Sequence, residues 1–318
     1  MRRRRFTALA GLAAALVLLA GAAPAGAADR LTVLLDWFVN PDHAPLVIAA
    51  ERGEFAKAGL AVELVAPADP SAPPRLVAAG EADVAITYQP SLYQQAAEGL
   101  PVARFGTLVA QPLNSLVVLA DGPVSTLADL RGRTIGYSVG GFEDALLARM
   151  LEGAGLGLAD VTLVNVNFAL SPALLAGRVD AVIGAFRNFE LTQLRLEGKE
   201  GRAFLPEEHG VPAYDELIFI ARRDALGDPR LPRFLDAVGA AKRFMRDSPA
   251  EAEAVFFRAH PELDDALNRQ AYADTLAAFA DDPRTLDRGR YEAFARFMTD
   301  AGLVTSLPPL DTYAVELD

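Results

Sequence analysis

Residues 76–86 read LVAAGEADVAI, and residues 174–183 read LLAGRVDAVI, the same string with one residue deleted. In both, a helical apolar stretch ends on a glycine (Gly80, Gly177), an acid follows (Asp83, Asp180), and an apolar run begins. The copies lie 97 positions apart, too far for the roughly 20–50-residue period of a solenoid. The spacing suits one such helix–strand unit in each of two similar α/β lobes.

Working outward, the order in both halves is strand, helix, strand, helix. Leu31–Trp37 reads as a strand. Asp42 caps the next helix, with Pro45 in its first turn, where a missing N–H does no harm. Ala61–Val65 is a second strand. A helix opened by Ser71 with Pro73 and Pro74 leads to a strand at Asp83–Thr87, and the helix Ser91–Glu98 closes on Gly99. A second module starts after Asp121-Gly122-Pro123. It has strands at Thr134–Tyr137, Val161–Val166 and Asp180–Gly184, with helices at Glu143–Glu152 and from Ser171-Pro172. Leu217–Ala221 returns as a strand to the first lobe, and Leu231 to about Ala301 is helical with breaks at Pro249, Pro261 and Pro283. Alternating β and α elements predict mainly parallel sheets covered on both faces. The expected division is 28–118 with 217–318 for the first lobe and 119–216 for the second.

The start of the chain has the three-part build of a secretory leader: Arg2 to Arg5, an apolar run from Ala8 to about Ala23, and Ala25-Gly26-Ala27 as a cleavage site. Cleavage after residue 27 would remove four arginines and no acids, moving the net charge from −12 to −16. So acidic a protein disfavours nucleic acid and anionic lipid as partners. With no cysteine, disulfides and thiol chemistry are excluded. His43, His209 and His260 are scattered, and no zinc-protease, nucleophile-elbow or phosphate-loop motif occurs. No metal, cofactor or catalytic set is expected.

In open parallel sheets, ligands sit beyond the carboxyl ends of the strands. Those ends carry Asp36, Trp37, Asn40 and His43; Tyr88 and Gln89; Tyr137 with Gly140 and Gly141; and Phe186, Asn188 and Glu190. Aromatic rings beside amides and carboxylates describe a cleft for a small, flat, polar molecule. Each residue also has a plainer reading. Trp37, the single tryptophan, could fill a lobe core. Asp36 and Asn40 could bond turn backbone, His43 could be a structural histidine, and Glu190 a solvated helix-start carboxylate. Gly140-Gly141 could cradle an anion, although a tight turn is the commoner use.

The run DWFVNPDHAPLVIAAERGEFAKAGLAVELVAPADPSAPPRLVAAGEADVAITYQP (36–90), with DLRGRTIGYSVGGFEDALL (129–147) and AFRNFEL (185–191), resembles the thiamine-pyrimidine (ThiY-like) substrate-binding proteins of ABC transporters. Their superfamily also holds the fungal synthases of the same pyrimidine phosphate. The resemblance runs to about residue 225; Val39 stands where the family commonly has proline in D-W-x-P-N. It implies a type II periplasmic-binding-protein fold, with crossing strands near Leu116–Ala120 and Leu217–Ala221. It also implies a monomer in the periplasm that passes a formylated or hydroxymethylated 4-amino-2-methylpyrimidine to a permease. Related subgroups bind riboflavin, sulfonates or nitrate. On this reading Trp37 and Tyr88 stack on the ring, Asn188 reads its amine and ring nitrogen, and Glu190 accepts from the exocyclic amine. The synthases need a lysine and a histidine at the positions of Thr87 and Ser91, and a cysteine-rich loop, so the resemblance favours a binder over an enzyme.

Overall fold

The computed structural model describes residues 28–317; the expected leader at 1–27 lies outside the described residues. Ten strands form two sheets: β1 (Asp29–Leu34), β2 (Leu60–Val65), β3 (Val84–Thr87), β4 (Val102–Val109), β5 (Asn114–Leu119), β6 (Thr134–Tyr137), β7 (Thr162–Asn165), β8 (Ala181–Phe186), β9 (Gly201–Phe204) and β10 (Leu217–Arg222). Their orders, β2-β1-β3-β10-β4 and β7-β6-β8-β5-β9, follow one pattern. The helices are α1 (Ala44–Glu51), α2 (Glu54–Lys57), α3 (Pro73–Ala79), α4 (Gln89–Ala97), α5 (Phe142–Glu152), α6 (Leu170–Leu175), α7 (Glu190–Leu196), α8 (Arg230–Asp247), α9 (Pro249–Ala259), α10 (Ala266–Thr275) and α11 (Arg288–Asp300).

The sequence echo has a structural cause. α3 ends on Gly80 at φ 78°, and α6 ends at Gly177 at φ 65°, the left-handed conformation that stops a helix without a Cβ clash. Asp83 then accepts the Thr32 N–H at 2.8 Å, and Asp180 accepts the Thr134 N–H at 2.9 Å. Each acid thereby pins the third parallel strand of its sheet to the first. Four strands of each sheet share a direction; β10 and β5 run against them. Each of these two is the first strand after the chain changes sheets, so each starts at the cleft, where its neighbours end.

The crossovers are therefore the segments 110–113 and 205–216, just ahead of the strands expected to make them. β5 lies wholly in the second sheet and β10 in the first, because such buried apolar runs need ladder partners for their backbone groups. Glu216 ties the crossovers together, accepting the N–H groups of Leu113 at 2.6 Å and Asn114 at 2.8 Å. Burial pushes its carboxyl up to about 7.

Two strands escaped the sequence reading. β4 is buried throughout, yet carries Arg104, whose guanidinium is absorbed by Thr107 and the carbonyls of Arg284, Thr285 and Val315. β9 is a four-residue strand paired with β5. The start of α1 also differs from expectation. Asn40, not Asp42, is the cap: its side chain accepts the Asp42 N–H at 2.8 Å and opens a short 3-10 turn, Pro41–His43, that runs into α1. Helices α8, α9 and α11 pack on the first sheet's helices, α8 and α9 against α1 and α11 against α4. Among the described residues no helix is long and apolar enough to cross a membrane.

Candidate functional site

The loop after β1 is held by its own polar side chains. Asn40 N–H donates to His43 Nδ1 (3.3 Å), which places the imidazole proton on Nε2. His43 Nε2 then donates to Asp36 Oδ1 at 2.9 Å, and the Tyr88 hydroxyl donates to Asp36 Oδ2 at 3.1 Å. Asp36, His43 and Tyr88 are all buried. Burial first, and the Asp36 charge next, hold the Tyr88 phenol protonated by pushing it well above its ordinary value. Asp36 thus locks the end of β1 to the end of β3.

Rings from both lobes close over this loop. Trp37 meets Phe168 edge-on with centroids 4.5 Å apart, and Phe38 lies 4.4 Å from the same ring. Tyr88 stacks on Phe142 at 4.8 Å. Polar contacts accompany them. Asn188 Nδ2 donates to Asp42 Oδ1 and to Thr275 Oγ1, both at 2.7 Å, and Gln94 Nε2 donates to the Gly141 carbonyl at 2.7 Å. The lobes are closed on one another.

Between them lies a cavity with about 510 Å³ of empty space, counting the part that opens to solvent. Trp37, Tyr88, Leu170, Phe186 and Phe189 supply apolar and aromatic wall. Asp36, Asp42, Glu143 and Glu190 supply four carboxyl groups, and among the described residues neither lysine nor arginine lines it.

Asp42, Glu143 and Glu190 are shifted by their surroundings. Burial raises Asp42 to about 6, against the hydrogen bond from Thr275 and the neighbouring His43. Glu190, the first residue of α7, accepts the Phe186 N–H at 2.7 Å, yet burial still lifts it to about 8, with the Asp42 charge adding to the rise. Part of Glu190's surface opens into the cavity, but protein surrounds it. Burial also pushes Glu143 well up, while the N–H groups of Ser138 and Val139 pull the other way. With Glu143 and Glu190 held protonated at pH 7 and Asp42 largely ionised, the cavity offers hydrogen-bond donors and acceptors side by side.

Of the residues singled out in the sequence, Asp36, Trp37, Asn40, Tyr88, Phe186 and Glu190 line the cavity. His43 stands directly behind Asp36. Four others lie elsewhere. Gln89 is buried, donating to the Tyr93 hydroxyl and accepting the Asp215 N–H, which commits both ends of its amide. Gly140 and Gly141 open α5 and line a separate groove with Tyr137 and Asn165. Asn188 does not line the cavity; its NH2 is spent on Asp42 and Thr275, so it clasps the lobes where an edge-reading contact was expected. Asp42, Glu143, Leu170, Gly184 and Phe189 were not singled out. The signals available were the acid within DWFVNPDHAP, the acid two residues after Gly141, and a glycine inside a strand.

The chain belongs to the NMT1/THI5-like family. The family model matches residues 40–252. A Haemophilus influenzae protein named for thiamine biosynthesis is 51% identical over 296 residues, 93% of this chain and 94% of its own. The formylaminopyrimidine-binding protein of Halalkalibacterium halodurans is 34% identical, covering 79% of this chain and 77% of its own. A 4-amino-5-hydroxymethyl-2-methylpyrimidine phosphate synthase of Uromyces fabae is 29% identical, covering 76% and 74%. Among solved structures, the alkanesulfonate-binding protein SsuA of Xanthomonas axonopodis pv. citri superposes with a TM-score of 0.67 over 90% of this chain and 98% of its own. At 18% identity that likeness speaks for the fold alone, which is the periplasmic-binding-protein fold.

Proposed function

We propose that this protein captures a 4-amino-2-methylpyrimidine carrying a formylamino or hydroxymethyl group, outside the cytoplasmic membrane, and delivers it to an ABC permease. The observation that carries the reading is the character of the cavity: four carboxyl groups and, among the described residues, no lysine or arginine in its lining. Such a lining offers sulfonate and nitrate, the cargo of related subgroups, no cation to balance their charge, and suits a ring rich in N–H donors. Trp37 and Tyr88 stand where they can hold that ring by stacking, each contact worth about 0.5–1.5 kcal/mol beyond burial. Glu190 accepts from the exocyclic amine, more strongly when the ring nitrogen is protonated. Asn188 takes a different role from the one its residue type suggests, holding the lobes shut. The name of the 34% identical Halalkalibacterium protein supports the same ligand class. The arginine-rich start and A-x-A site support export.

Synthesis of the pyrimidine is the competing reading within the family. Thr87 and Ser91, at the positions of the synthase lysine and histidine, offer neither a Schiff-base amine nor an imidazole.

A thermal-shift panel on the mature protein tests the proposal. Aminopyrimidines at saturation should raise the melting temperature by mass action, with taurine, nitrate and riboflavin inert. Stabilisation by taurine or nitrate alone would refute the ligand assignment.

A further inference from the structure

Strand β8 carries a glycine whose backbone departs from the ladder. Gly184 has φ 95°, at the point where the β5–β8 register shifts, and its N–H donates to the Asn114 side chain at 3.2 Å. A methyl group on it would lie 2.3 Å from Glu143 Oε1 and 2.8 Å from Oε2. No real Cβ tolerates such contacts, so the carboxyl group lies directly over the bare backbone. Glu143 belongs to the first turn of α5, where a carboxylate ordinarily faces water. Here it is 3% exposed and folded back inward, with Oε2 accepting the Ser138 N–H at 2.7 Å. Glu143 and Gly184 both line the cavity. Bulges beside sites re-aim side chains; this one makes room for a carboxyl group that comes from another element.

We infer that Glu143, admitted to the cavity by Gly184, is a specificity-determining contact: it hydrogen-bonds a neutral polar substituent of the ligand and closes the site to the phosphate ester of the same ring. This rests on reading the cavity as an aminopyrimidine site. Two facts favour it. Among the described residues no lysine or arginine lines the site, so a phosphate dianion would have to shed its water there with no cation in return. Burial also favours the neutral form of Glu143, a donor suited to a formyl or hydroxyl oxygen. The protein would thus separate a free pyrimidine from its phosphorylated form, although both carry the same ring and amine.

Titration calorimetry with 4-amino-5-hydroxymethyl-2-methylpyrimidine and its monophosphate tests this on wild type, Glu143→Gln and Gly184→Ala. Wild type should prefer the alcohol at least 100-fold. Glu143→Gln keeps the shape and can still accept from Ser138, so it should fold; its preference should shrink at least tenfold. Gly184→Ala displaces the carboxyl group by a different route and should narrow the preference in the same direction. A melting curve on each variant certifies folding, and either folded variant decides the question. Wild type taking alcohol and phosphate equally, or a folded variant keeping the full preference while the pyrimidine still binds, overturns this inference alone. Wild type that binds taurine or nitrate and no pyrimidine overturns the site reading and this inference together.

Discussion

Replacing Glu190 by glutamine should stabilise the empty protein and cripple it as a receptor. Burial raises the Glu190 carboxyl from 4.5 to about 8, so the folded state holds a proton that the unfolded chain has released between those values. Stability contributed by this group is complete below pH 4.5 and declines as pH rises to about 8, because there the unfolded state binds fewer protons. Each unit is worth about 1.4 kcal/mol, so the whole window spans about 5 kcal/mol. Water in the open cavity screens part of that, and about 3 kcal/mol is the working figure. Glu190→Gln removes the titration and keeps an oxygen to accept the Phe186 N–H. Its melting temperature should match wild type near pH 4.5 and exceed it by about 6 °C at pH 8, at about 2 °C per kcal/mol for a chain of this size. Binding should move the other way. A donor ligand would draw Glu190 into its ionised form in the complex, and loss of that charge-assisted hydrogen bond costs about 1.5–3 kcal/mol, or about 10- to 150-fold in affinity. Melting scans across pH 4.5–8.5 and calorimetry with the aminopyrimidine read both effects. A stability difference that is flat with pH refutes the buried-acid argument; undiminished affinity refutes the role of Glu190 in binding.

Trp37→Ala should weaken aminopyrimidine binding at least as much as Glu190→Gln, since stacking and apolar burial disappear together; calorimetry giving wild-type affinity on a folded variant would contradict this. Thr275→Val touches no ligand, yet it deletes the hydroxyl that donates to Asp42 and accepts from Asn188. At about 1 kcal/mol for such a bond, ligand release in stopped flow should quicken about fivefold, and an unchanged rate would show that this clasp does not hold the lobes shut. Pyridoxal phosphate should yield no aldimine absorbance band and no borohydride-trapped adduct; a trapped lysine together with pyrimidine formation would make the protein a synthase.

What the sequence revealed, it revealed through backbone periodicity. The echo between 76–86 and 174–183 located both lobes because the terminating glycine and the pinning aspartate are local requirements that recur wherever this helix–strand unit recurs. The strand-end rule then named loops that line the cavity, since a parallel strand delivers its last residues to the cleft whatever their side chains do. β4 was missed because Arg104 and Gly106 interrupt an apolar run, and a sequence cannot display the carbonyls of residues 284, 285 and 315 that make a buried guanidinium tolerable. Within those loops, side-chain direction was not legible. Asn188 and Glu190 are two residues apart, but Thr275 and Asp42 draw one away from the cavity while the Phe186 N–H holds the other at its wall. Glu143 depends on a glycine 41 positions later, a packing relation with no periodic trace.

The cavity acids bear on closure as well as on recognition. Asp42 lines the cavity and also receives Asn188 from the second lobe and Thr275 from α10 through Oδ1. Those bonds are strongest when Asp42 is ionised, whereas burial favours its neutral form and lifts it to about 6. A bound N–H donor, above all a protonated pyrimidine, favours the ionised form and so tightens the clasp between lobes. An anion does the reverse: it raises Asp42 further and loosens the clasp. Ligand chemistry and closure are therefore coupled through one carboxyl group. On the proposed ligand assignment, a donor-rich ring would satisfy the carboxyl groups that burial otherwise penalises.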